Sequence, residues 1–366
     1  MEILLMLAGG LVALIVGAQL LVRGAGKLAL GFGISPLVVG LTVVAFGTSS
    51  PEMAISVQSA WSGQVDIALG NVVGSNIFNV LFILGVSALL APLVVSLQVV
   101  RQEVPLMICA SVLLLAVTLD GGLSRAEGVL FVAGLAAYTA FLVVQSRRET
   151  RAQAAAPGAP GLAADAGPVP RGAAWDDRLP GQLLLIAGGL VLLVLGSNWL
   201  VEAAVSLARR FGVSELVIGL TIIAAGTSLP EVATSVLATL RGERDIAVGN
   251  VVGSNTFNIL GVLGVSAAVA PVELPVAPSL AAFDMPVMLA VAVACLPVFF
   301  TGRTIARWEG SVLLAYYVAY AAYLILAAQE HDLLTTYTVA MRWVVIPLTV
   351  LTLAVVLTRE LRARRA

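Results

Sequence analysis

Two short stretches, "GTSSPE" at 47–52 and "GTSLPE" at 226–231, set a glutamate directly behind a proline inside otherwise apolar runs. Proline has no amide proton and its ring clashes with the preceding turn, so Pro51 and Pro230 interrupt a helix. The same residue is well placed at the start of a new helix behind a Ser or Thr cap. Each stretch therefore reads as a broken span, with one half ending near Gly47 and the other starting at Pro51 in the first copy. The break is expected to free backbone carbonyls such as those of Ala45 and Ala224, and irregular backbone at that depth is tolerated where it lines a cavity. Glu52 and Glu231 then stand deep in an apolar layer, where an ionised carboxylate costs about 2.5–3.5 kcal/mol or more. Neither motif-bearing run contains a lysine or arginine to pair with them. Two such acids at matched positions call for a shared positive partner, and one divalent cation neutralises both.

A second pair of stretches, "GNVVGSNIFN" at 70–79 and "GNVVGSNTFN" at 249–258, supplies neutral oxygens. Ser75 and Asn79 are four residues apart and share one helical face, as do Ser254 and Asn258. Thr48 and Ser49 lie one turn before Glu52, with Thr227 and Ser228 before Glu231. Gly70, Gly74 and their copies let another backbone approach closely. Carboxylate, hydroxyl, amide and carbonyl oxygens suit Ca²⁺, Na⁺ or Mg²⁺ and disfavour Zn²⁺ or Cu⁺. The single histidine, His331, lies in a polar connection, and Cys109 and Cys295 sit apart in apolar runs, so imidazole and thiolate chemistry find no support. Glycine pairs and membrane hydroxyls alone are more often packing elements, and a lone proline a kink. The intramembrane acids turn the balance towards a site. Glu103, Glu202, Glu215, Asp284 and Glu309 fall near the ends of apolar runs and read as interfacial charges, while Asp66 and Asp245 read as helix caps.

The elements that must position these residues follow from composition. Of 366 residues, 60% are hydrophobic and 11% charged, with mean hydropathy +1.03; soluble domains carry about 25% charged residues. The chain reads as an all-α polytopic membrane protein whose partner is the lipid bilayer. A net charge of −1 without a basic face excludes nucleic-acid binding, and no protein partner is implied. Spans are expected near 3–22, 37–62, 66–90, 104–119, 125–145, 181–201, 215–240, 245–270, 283–301, 307–327 and 337–358. The N-terminal run lacks a basic leader and is long enough to cross, so it reads as the first span and not as a signal peptide.

The chain is internally duplicated. "AGGLVALIVGAQLLV" from residue 8 returns as "AGGLVLLVLGSNWLV" from 187, and 32 of 52 positions agree between 41–92 and 220–271. Five spans per copy is an odd number, which forces the second copy into the opposite orientation. The expected organisation is a first inverted repeat at 1–145, a flexible Ala/Pro/Gly-rich cytoplasmic linker at 146–180, a second repeat at 181–327, and an eleventh helix with a basic tail at 328–366. With the N-terminus outside, basic residues fall on the inner side by about four to one, which assigns linker and C-terminus to the cytoplasm.

"GTSxPE" paired with "GNVVGSN", twice, resembles the cation/Ca²⁺ exchanger superfamily and specifically its sodium/calcium exchanger branch; the resemblance spans roughly residues 1–327. It implies ten core helices in two inverted repeats that exchange Ca²⁺ for Na⁺ by alternating access. It further implies Glu52 and Glu231 as carboxylates shared by both ions, with Ca²⁺ assisted by backbone oxygens of Thr48 and Thr227. Flanking Na⁺ sites would use Ser49, Ser75, Ser228 and Ser254 with the carbonyls of Ala45 and Ala224, and Asn79 and Asn258 would lie mid-cluster. Some members, the potassium-dependent branch included, carry aspartate where this chain has Asn258, which favours potassium independence here.

The expected function is a secondary antiporter in a cell membrane, not an enzyme. No cofactor is expected, and Ca²⁺ and Na⁺ are its transported substrates. A Ca²⁺/H⁺ antiporter using the same glutamates is the nearest rival, and a passive cation channel the next.

Overall fold

A computed structural model describes residues 2–155, 175–210 and 224–363. Among these, nine helices are long and apolar enough to cross a membrane, and a tenth span is the bent pair α2 (Pro36–Thr48) and α3 (Ser50–Trp61). The others are α1 (Glu2–Phe32), α4 (Val65–Leu90), α5 (Val99–Asp120), α6 (Arg125–Ala155), α7 (Leu179–Arg210), α9 (Arg244–Val269), α10 (Leu280–Phe300), α11 (Arg307–Ala328) and α12 (Leu333–Thr358). Of the expected span at 215–240, α8 (Leu229–Leu240) supplies the second half. The stretch 211–223, with Glu215, lies outside the described residues, as does 156–174 of the linker. The fifth helix runs to Ala155, ten residues beyond its expected end.

Proline sets several helix starts. Pro36, Pro51 and Pro230 each stand in the first turn of a helical segment, where a missing amide costs nothing, whereas Pro105 and Pro286 follow π-helical turns within α5 and α10. Ser35 caps the first of these, its hydroxyl accepting from the Val38 amide at 3.3 Å. The motif helices α4 and α9 form the centre: α9's most apolar stretch is wholly buried, whereas no residue of α12's is buried. Long α1 and α7 cross glycine on glycine, a Cβ on Gly17 falling 2.8 Å from the Gly189 carbonyl oxygen. Close backbone contact of this kind is how membrane helices gain packing without a hydrophobic driving force.

The duplication is visible in the contacts. Strand β1 (Leu93–Val94) pairs antiparallel with β4 (Thr304–Ile305), and β2 (Gly122–Leu123) with β3 (Leu274–Pro275), so each repeat's connections are tied to the other's. Glu127 closes the start of α6 on the Ser124 amide, and Glu309 that of α11 on the Ala306 amide, both at 2.8 Å. Among the described residues, helix α12 is hydrogen-bonded to α11: Tyr337 donates to the Ala319 carbonyl at 2.7 Å and Tyr316 to Thr349 Oγ1 at 2.6 Å. The linker end is pinned to α1 through Asp176, which pairs with Arg23 and, at 2.8 Å, with Lys27. Those cations, Lys27 first, hold the Asp176 carboxyl below the usual carboxylate range.

Candidate functional site

The first break falls at Ser49, where α2 and α3 meet at 48°. It lies two residues before Pro51 because a proline in the second helical position leaves the residue before the helix to turn the chain. The ladder is less broken than the sequence implies. Ala45, expected to have a freed carbonyl, accepts the Ser49 amide at 3.0 Å, with the Thr48 hydroxyl 3.4 Å away. What Pro51 withholds is a donor for Gly47, four residues back. In the second copy the matching carbonyl, that of Gly226, accepts a 2.6 Å hydrogen bond from Ser197 on α7. Ala224 opens the short turn Ala224–Gly226, and its side chain lies outside the described residues.

Glu52 and Glu231 are both fully buried. Each is held by the other repeat: Ser228 donates to Glu52 Oε1 at 2.9 Å, and Ser49 donates to Glu231 Oε1 at 2.8 Å. The second oxygens, Glu52 Oε2 and Glu231 Oε2, have no hydrogen-bond partner. Among the described residues, no lysine or arginine forms an ion pair with either acid; both such pairs found lie at Asp176. Desolvated and unpaired, two carboxylates are held apart from the neutralising groups that a buried charge normally requires.

The neutral oxygens gather around them. Ser75 lies 3.2 Å from Ser228 Oγ, and Ser254 Oγ is buried without a partner. Thr48 donates to Asn250 Oδ1 at 3.1 Å and Thr227 to Asn71 Oδ1 at 3.3 Å. The asparagines in turn brace the acid-bearing helices: Asn71 donates to the Glu52 carbonyl and to Ser56, and Asn250 to the Glu231 carbonyl and to Ser235.

Asn79 and Asn258 are oriented by a second cross-repeat network. Asn79 donates to Asn255 Oδ1 at 3.0 Å and Asn258 to Asn76 Oδ1 at 3.1 Å. Asn76 and Asn255 also donate to each other's carbonyls at 3.2 and 3.1 Å. With both amide groups committed, Asn79 Oδ1 and Asn258 Oδ1 are left buried and unpartnered. Both residues open a π-helical turn, Asn79–Leu84 and Asn258–Leu263, a rare geometry that clusters at functional sites.

The outcome is five buried oxygens without donors, from Glu52, Glu231, Asn79, Asn258 and Ser254, beside hydroxyls that can turn their lone pairs inward. A donor-poor, oxygen-rich centre with two negative charges fits a hard cation as substrate.

Residues 2–144 and 181–326 match the family model described as sodium/calcium exchanger protein. The chain belongs to that family. The exchanger is 41% identical over 315 residues to the putative antiporter CaxA of Alkalimonas amylolytica, covering 85% of this chain and 95% of that one. It is 35% identical over 344 residues to the sodium/calcium exchanger MaX1 of Methanosarcina acetivorans, covering 86% and 96%. Among solved structures it matches the sodium-calcium exchanger NCX_Mj with TM-score 0.73 at 27% identity, covering 88% of this chain and 99% of that chain. The exchanger is therefore a membrane antiporter of the cation/Ca²⁺ type and not an enzyme. Its fold is two inverted five-helix repeats with one added C-terminal helix.

Of the residues that sequence reasoning singled out, the fold sets Ser49 against Glu231 and Ser228 against Glu52 and Ser75, holds Asn79 and Asn258 on Asn255 and Asn76, and buries Ser254. Sequence reasoning passed over Asn71, Asn76, Asn250 and Asn255. The signal was in view: each recurs at the same place in both copies of "GNVVGSN". Glu103, expected as an interfacial charge, is instead fully buried under Tyr138 and Gln98.

Proposed function

We propose that the exchanger trades Na⁺ for Ca²⁺ at one shared set of oxygens centred on Glu52 and Glu231. The observation that carries this reading is the pair of buried, donor-free carboxylate oxygens, each presented by an acid whose other oxygen is fixed by a serine of the opposite repeat. Ca²⁺ would bridge the two carboxylates with help from the backbone oxygens of Thr48 and Thr227. Na⁺ ions would occupy the same carboxylates with Ser49, Ser75, Ser228, Ser254, Asn79, Asn258 and the carbonyls of Ala45 and Ala224. The names of MaX1 and NCX_Mj support this choice of ions.

Competition is the coupling device. An empty site carrying two charges is expensive to carry through apolar surroundings, so reorientation favours the loaded forms. Asparagine at both 79 and 258 keeps the site at two acids, which supports exchange without K⁺. The repeats at 1–145 and 181–327 would alternate access from the two sides, with the N-terminus outside and the linker at 146–180 and the C-terminus cytoplasmic, as the basic residues favour.

Purified protein in proteoliposomes tests this. With pH clamped on both sides, an outward Na⁺ gradient should drive Ca²⁺ uptake, and Glu52→Gln or Glu231→Gln should abolish it. Normal uptake in either variant rejects the shared site. Uptake driven by a proton gradient without Na⁺ would turn the reading to Ca²⁺/H⁺ exchange, and flux without any countergradient would turn it to a channel.

A further inference from the structure

We infer that Asp284 and Glu103 are matched mouth carboxylates, one for each side of the membrane, that draw cations towards the Glu52–Glu231 site. The inference rests on the Na⁺/Ca²⁺ reading above. It starts from an equivalence that neither signature motif contains. "EVPLM" at 103–107 and "DMPVM" at 284–288 occupy the same place in the two repeats, each at the end of a π-helical turn, Val99–Glu103 and Leu280–Asp284. Both acids accept from a tyrosine set thirteen residues after the arginine that opens the following helix. Tyr138 donates to Glu103 Oε2, and Tyr320 donates to Asp284 Oδ1 at 2.7 Å.

Their surroundings differ. Asp284 lines a cavity of about 400 Å³ that also borders Asp66, Asn71, Ser75 and Thr227. The cavity thus runs from an acidic mouth to hydroxyls that touch the ion site, and no lysine or arginine lines it among the described residues. Asp66 lies in the first turn of α4 and Asp284 closes the first turn of α10, both on the face assigned above as outer. Glu103 lies at the opposite face and is fully buried, with Gln98 donating to its Oε1 at 2.9 Å and Tyr138 to its other oxygen. One repeat presents its acid to an approach; the other holds the equivalent acid against closed packing.

Neither acid is ion-paired among the described residues. A purely structural role leaves unexplained why both repeats bear the desolvation cost of a carboxylate there, which an apolar residue would avoid. Cation recruitment accounts for it. A negative group in a cleft with low-dielectric walls focuses the field and raises the local cation concentration. When the inner approach opens and the outer one closes, Glu103 comes to line the route as Asp284 now does.

The test is sided. Na⁺-coupled Ca²⁺ flux is measured in vesicles sorted by orientation, with Ca²⁺ varied at one face at a time. Asp284→Asn should raise half-saturating Ca²⁺ about threefold or more at the outer face only. The shift should shrink as choline chloride is raised, since salt screens a recruiting charge but not a packing defect. Asp284→Glu should restore the parent value, and Glu103→Gln should shift the inner face instead. Equal shifts at both faces, no shift at either, or a shift indifferent to salt overturns the inference. Asp284 is half-buried at a cavity wall, so its variant decides the matter even where Glu103→Gln does not fold. Parent protein that fails to exchange Ca²⁺ for Na⁺ in the same vesicles would count against the ion assignment and not against the mouth.

Discussion

The two glycine rows of "GNVVG" are identical in sequence and opposite in setting. On α9, a Cβ at Gly253 would fall 2.7 Å from the Leu41 backbone, and one at Gly249 would fall 2.9 Å from the Leu37 carbonyl oxygen. On α4, a Cβ at Gly70 or Gly74 meets no described atom within 4 Å, and the acidic cavity borders both glycines. Among the described residues, one pattern therefore lies against packed backbone on α9 and borders a cavity on α4. That is the property an access route needs if it is to close on one side while it opens on the other, and a row of larger side chains would fix it in one form.

Removing charge from either half should break this comparison most severely. Glu52→Gln and Glu231→Gln are each expected to lower Na⁺-driven Ca²⁺ uptake by about two orders of magnitude, each acid being half of the charge that holds the cation. A much larger loss in one than in the other would mean that the mirrored acids do unequal work. Next in size are the glycines. Gly253→Ala should destabilise the protein by about 1–3 kcal/mol through overpacking against α2, whereas Gly74→Ala should leave stability nearly unchanged; melting in detergent measures both, and equal shifts would deny the asymmetry. Smallest is Ser197→Ala, which removes the hydroxyl on the Gly226 carbonyl at an expected cost of about 1 kcal/mol. The matching residue in the first repeat is Ala18, which carries no hydroxyl, so the contact belongs to one repeat only.

Much of this was legible in the sequence because the signals are local. A proline inside an apolar run marks a break, and the break, at Ser49, falls between Gly47 and Pro51 as expected. An unpaired acid in such a run marks a site, and both acids are buried. Duplication supplied the inverted architecture from span counting alone. What stayed hidden depends on which helices cross. The Asn76–Asn255 exchange, and through it the orientation of Asn79 and Asn258, exists only where α4 meets α9, and nothing in either stretch names its partner. The Ala45 carbonyl was expected to be freed, yet a proline deprives the carbonyl four residues before it, that of Gly47, and the Ala45 oxygen keeps the Ser49 amide as its helical donor. Glu103 sits at the end of an apolar run, as an interfacial charge would. Only the approach of Tyr138 from the next helix makes it a buried one.

Equilibrium Ca²⁺ binding to the purified exchanger, titrated with and without Na⁺, tests the shared site most directly. The account predicts one saturable Ca²⁺ site that Na⁺ displaces competitively and that is lost in both Glu52→Gln and Glu231→Gln. Ca²⁺ binding that persists in either variant, or that Na⁺ leaves unchanged, would contradict it.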